Sequence, residues 1–211
     1  MKNKYIIAFK VVIHLACLVP VARLSFYFYS DYYFDTRHLG TNPIEFITHS
    51  TGDWTMIFLL ITLSVTPLRR LSGLQWLGRL RRMIGLYAFF YACLHFTTYL
   101  WLDQEFNTAS MIKDIAKRPF ITAGFTSFVL MVPLALTSNK AALRLLTGKR
   151  WQQLHRLIYV SAIAGVVHYW WLVKADITQP AIYASILAAL LAFRLLAKLW
   201  SRRWPRPAVE S

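Results

Sequence analysis

The chain has 211 residues, of which 57% are hydrophobic, 16% aromatic and 16% charged, with a formal net charge of +15. A soluble domain is not this apolar, and a disordered basic tail does not carry so many aromatic residues. A soluble nucleic-acid binder spreads its basic residues over a solvated face, whereas here they cluster between long apolar runs, the pattern of a membrane protein. The two cysteines, Cys17 and Cys93, both sit inside apolar stretches, where a small buried hydrophobe is the expected role rather than a bridge.

About 20 apolar residues are needed to cross roughly 30 Å of hydrocarbon, and six stretches meet that length, at about 10–29, 48–67, 83–102, 120–137, 154–174 and 180–200. They predict an all-α membrane protein, a single six-helix bundle spanning the whole chain. The first run follows Lys2, Lys4 and Lys10 as a signal peptide would, but it continues through VARLSFYFY without a small-residue cleavage site and reads as a retained helix. The last two form a hairpin, with Pro180 in the first turn of the sixth.

Charge sorts cleanly across this frame. With the N-terminus in the cytoplasm, 18 of the 24 basic residues fall on the cytoplasmic side and eight of the nine acids on the other, leaving only Glu210 in the tail. The positive-inside rule then predicts that both termini are cytoplasmic. Much of the net charge is thereby a signal of topology and anionic lipid.

Ionisable groups inside a span usually face the bundle interior, so depth discriminates among the six histidines. His38 falls in a polar loop. His49 opens the second span, and His14 lies about one turn inside the first. His95 is 12 residues beyond Met83 and His168 is 14 beyond Leu154, which places them roughly 18 and 21 Å from the inner surface, at one level on two helices. Two imidazoles at a shared depth suit bis-axial ligation of a haem iron, and a hydrogen-bonded histidine pair is the competing reading. Aromatic residues flank both positions, and Gly85 and Gly165 leave room for a flat macrocycle. His155, at the inner end of the fifth span, is 13 residues before His168, which turns it about 220° past three full turns and onto a different face. A second haem there would need unusual ligation.

The runs THSTGDWTMIFLLITLSVTPLRR, LRRMIGLYAFFYACLHFTTYLWLD, KRPFITAGFTSFVLMVPLALTS and GKRWQQLHRLIYVSAIAGVVHYWWLVK resemble the ferric-reductase-like transmembrane family, in particular its bacterial inner-membrane haem subunits. The resemblance covers about Lys10 to Leu195. It implies a non-catalytic electron-transfer subunit that takes electrons from the respiratory chain, commonly the quinol pool. It passes them through haem b to a periplasmic molybdopterin enzyme reducing methionine sulfoxide in oxidised proteins.

Position by position, the family's histidines fall on His95, His155 and His168. His95 and His168 are then haem b ligands, and His155 serves a second haem or an alternative ligation. FMN is also associated with the family, and Arg81, Arg82, Lys149 and Arg150 on the inner side are candidates for its phosphate or for a haem propionate. Arg23, inside the first span, either meets a propionate or snorkels. A self-sufficient ferric or metal reductase is disfavoured because no stretch resembles a nicotinamide-binding G-x-G-x-x-G after a strand. A transporter or scaffold would be expected to show broken helices or an inverted repeat.

Overall fold

The computed structural model describes residues 3–203, so Lys2, Arg206 and Glu210 lie outside the described residues. Within them the chain is all helical: α1 (Asn3–Phe34), α2 (Pro43–Ser72), α3 (Gly78–Thr98), α4 (Thr108–Lys117), α5 (Pro119–Leu136), α6 (Lys140–Leu154), α7 (Leu157–Leu172) and α8 (Thr178–Arg203). A single 3₁₀ turn, Gln75–Leu77, leads into α3, which runs on through Tyr99–Asp103 as a wider π turn.

All six apolar segments are helical. Five of them, α1, α2, α3 with its two flanking turns, α5 and α8, are long and apolar enough to cross a membrane, and α7 is apolar but shorter, at 16 residues. The protein is a multi-pass membrane protein. The stretches expected to be loops on either side of α5 also hold helices. In α4, Met111, Ile112 and Ile115 share the chain with Lys113, Asp114 and Lys117, and α6 mixes leucines with six basic or amide side chains. Segments so short and polar fall below any span-length hydropathy signal.

Helix ends follow side-chain chemistry. Asn42, Asn107 and Asn139 accept from the backbone amides of Glu45, Ser110 and Ala142 and so cap α2, α4 and α6. Gly73 closes α2 at φ 72°, with its amide on the Arg69 carbonyl. In the loop before α8, Thr178 hydrogen-bonds the Asp176 carboxylate through its hydroxyl and its amide, holding that carboxyl below its ordinary range.

The core lies where α2 packs along α3 and α5 along α7, with α8 against α2 and α7. Leu59, Leu63, Ala88 and Ala162 are almost completely enclosed. Small residues let α5 and α7 approach closely: the Ser127 hydroxyl donates to the Ser161 carbonyl at 2.8 Å and the Ser161 hydroxyl to the Ser127 carbonyl at 3.0 Å. By contrast α1 turns Val11, Val12, Leu15, Val19 and Phe26 outward, an apolar surface suited to lipid. Its main tether is Tyr91 of α3. That hydroxyl donates to the Cys17 carbonyl and accepts from the Val21 amide, the two ends of the helical turn that contains Pro20.

Candidate functional site

His95 on α3 and His168 on α7 come together in the bundle, with ring centres 6.1 Å apart and ring planes at 70°. Each ring is held through Nδ1. His95 Nδ1–H donates to the Thr48 carbonyl of α2 at 2.9 Å, and His168 Nδ1–H to the Phe120 carbonyl of α5 at 2.7 Å. A carbonyl only accepts, so each Nδ1 carries the proton and each Nε2 keeps a lone pair. Neither Nε2 has a hydrogen-bond partner among the described residues.

Four helices contribute because each carbonyl lies near a helix end or a tight crossing. Phe120 is in the first turn of α5, just past Pro119, and the imidazoles lie against two glycines. A Cβ on Gly124 would stand 2.7 Å from His168 Nδ1 and 3.0 Å from its Cγ; one on Gly52 would stand 3.1 Å from His95 Cε1. Both positions therefore need a residue without a side chain if the rings are to stay where they are.

The two rings line a cavity of about 800 Å³, within the range of about 300–1,000 Å³ common to cofactor sites. Met56, Leu59, Ala92, Phe96, Phe128 and Met131 supply apolar walls, while Thr48, His49, Asp53, Tyr99, Gln104 and Arg118 supply polar ones. Two imidazoles bound through nitrogen at about 2 Å to one metal, with ring centres about 1 Å further out, would sit about 6 Å apart. The observed 6.1 Å fits that spacing. The fixed tautomers, the glycine cradle and the mixed apolar and polar walls also fit a flat amphiphilic macrocycle. Among the described residues there is no group of three or more His, Cys, Asp or Glu to hold a bare metal ion.

The other singled-out residues lie elsewhere. His155 ends α6, where it stacks on Trp151 at 3.9 Å and places Nε2 3.1 Å from the Thr137 hydroxyl. That hydroxyl already donates to the Pro133 carbonyl, so His155 Nε2 is the donor. His14 meets the Tyr87 hydroxyl at 2.9 Å, His38 stacks on Tyr27, and His49 is exposed at the cavity mouth. Arg81 is half-buried near Tyr159, Arg194 and Arg69, whereas Arg82, Lys149 and Arg150 are exposed and make no ion pair among the described residues. Arg23 lies over the Tyr27 ring. Gly165 lines the cavity, but Gly85 instead faces Thr62 of α2, so the room it leaves is taken by helix packing.

A membrane bundle that holds two tautomer-fixed imidazoles across one cavity defines a class of redox-cofactor membrane proteins, and the comparisons agree. Residues 45–166 match the model of the ferric reductase like transmembrane component. A protein-methionine-sulfoxide reductase heme-binding subunit MsrQ of Herminiimonas arsenicoxydans is 54% identical over 92% of this chain and 87% of its own length. Proteins of the same description from Azospira oryzae and Bordetella pertussis are 51% and 47% identical, covering 96% and 92% of this chain and 87% and 91% of their own. The chain belongs to the MsrQ family of ferric-reductase-like transmembrane proteins.

Proposed function

We propose that this chain is a haem b electron-transfer subunit of a methionine sulfoxide reductase system, with His95 and His168 as the axial ligands. The observation that carries this reading is the imidazole pair itself: ring centres 6.1 Å apart, both Nδ1 atoms committed to backbone carbonyls and both rings facing one cavity. When bound, haem supplies reversible one-electron exchange, which no side chain of the site provides. The residues supply the rest. Thr48 and Phe120 fix the tautomers and raise ligand basicity, Gly52 and Gly124 admit the rings, and the apolar walls exclude water.

In this reading six helices span a bacterial inner membrane as a single domain, with both termini cytoplasmic and the imidazole pair toward the periplasmic face. Quinol is the donor, and the acceptor is MsrP, the periplasmic molybdopterin subunit that repairs oxidised proteins. The family resemblance also supports an FMN, for which Arg81 is the best-placed of the four inner cations because it alone among them is half-buried. The haem count is one at the outer pair, with His155 the residue for any second.

The test is a dithionite-reduced minus oxidised spectrum of detergent-purified protein with haem quantified per chain. Wild type is expected to give a b-type spectrum that His95→Ala and His168→Ala both abolish. Well-folded wild-type protein that carries no haem despite adequate supply would overturn the proposal.

A further inference from the structure

The cavity between the imidazoles has two unlike ends. Away from His95 along α3 toward its start, the walls are Ala92, Leu59, Met56 and Met131. Toward the end of α3 they turn polar, and three of the polar atoms there are unpaired. Four buried side-chain nitrogen or oxygen atoms lack a hydrogen-bond partner among the described residues: Thr48 Oγ1, Tyr99 Oη, Gln104 Oε1 and Arg194 Nε. The first three all belong to residues that line this one cavity. A buried unpaired polar atom costs about 1–3 kcal/mol, so three around one space mark a place where a polar ligand group belongs.

Local structure explains how they come together. Thr48 is the residue whose carbonyl holds His95, and Tyr99 is one helical turn beyond His95 on the same helix. Tyr99 opens the π turn, in which Gln104 N–H reaches back to the Tyr99 carbonyl, a widening often found beside ligands. The Gln104 amide nitrogen and Arg118 Nε both engage Asp114, which leaves the Gln104 oxygen facing inward and places a guanidinium at the rim. The mouth also carries Glu45, Asp53, Asp103 and Asp114, the last paired with Arg118. Against those acids, the two unpaired hydroxyls and Arg118 are the donors that an anionic group would need there.

Resting on the haem reading above, we propose that Thr48, Tyr99 and Arg118 form a carboxylate subsite that takes the haem propionates and sets which way round the macrocycle enters. The hydroxyls of Thr48 and Tyr99 donate to carboxylate oxygens, and Arg118 supplies the positive charge. The vinyl-bearing edge then lies among the methionines and leucine at the apolar end. None of these three residues touches the iron; they act as positioning residues.

The experiment compares ferric protoporphyrin IX with its dimethyl ester, each titrated into the full-length chain purified in detergent from haem-depleted cells, with Soret absorbance and apo-protein melting temperature as readouts. Wild type is expected to bind the diacid at least about 10-fold more tightly than the diester, about the value of one charge-assisted contact. Thr48→Val and Tyr99→Phe each bring that ratio down several-fold, and Arg118→Gln added to the pair brings it near one, while the bis-imidazole spectrum is retained. Because the first two substitutions each remove an unpaired hydroxyl, apo-protein melting temperature stays level or rises in those variants. A wild-type ratio near one, or a ratio that the variants leave unchanged, overturns the subsite while leaving haem binding intact. Failure of both porphyrins to bind overturns the haem reading as well.

Discussion

His95 and His168 in the cavity and His155 at the end of α6 are the same side chain in opposite circumstances. The first two spend Nδ1 on a backbone carbonyl and keep Nε2 for the cavity. His155 lies flat on Trp151 and spends Nε2 on Thr137. On the proposed haem reading, what separates the two axial imidazoles from His155 is which ring nitrogen is already hydrogen-bonded, more than depth along the helix.

The sharpest way to break the contrast is to remove one ring and offer it back. His168→Gly should lose the b-type spectrum, and millimolar free imidazole should restore it; the same pair of measurements on His155→Gly should show neither the loss nor the rescue. Next in size is Gly124→Ala. Its Cβ would meet ring atoms at 2.7 to 3.0 Å, and haem per chain is expected to fall about 10-fold or more, the usual scale for a disturbed outer shell. Gly52→Ala, with its closest ring atom at 3.1 Å, should lower loading only a few-fold. Gly85→Ala, whose new methyl would make ordinary contact with Thr62 at 3.4 Å, should leave loading unchanged and so serves as the control. Smallest is Tyr91→Phe, which removes two hydrogen bonds to α1; stability in mild detergent should fall by about 1 kcal/mol, with the haem spectrum unmoved.

Much of the frame was legible beforehand, because hydrophobic runs of span length and charge asymmetry are direct consequences of the lipid environment. The pairing of His95 with His168 was legible from helical rise alone, but His155 ends α6 and is separated from α7 by a turn, so the twist of one straight helix does not describe where it sits. The carbonyls of Thr48 and Phe120 left no trace, since backbone oxygens carry no residue identity. Gly124 stood in plain view within ITAGFTS, but a glycine in an apolar span serves equally for helix packing, which is what Gly85 does. The helices α4 and α6 were hidden by their polarity and length, and α4 matters because it brings Asp114 to Gln104 and Arg118 at the cavity rim.

The hydroxyl of Tyr91 also bears on how the protein is made. The turn around Pro20 is bridged by a side chain some 70 residues further along, in hydrocarbon that offers no water for that role. Until α3 is beside it, the Cys17 carbonyl and the Val21 amide, four residues apart, have each other as helical partners, and the Tyr91 hydroxyl then inserts between them. The joint that fastens α1 to the bundle is thus made by a side chain of the helix that carries His95.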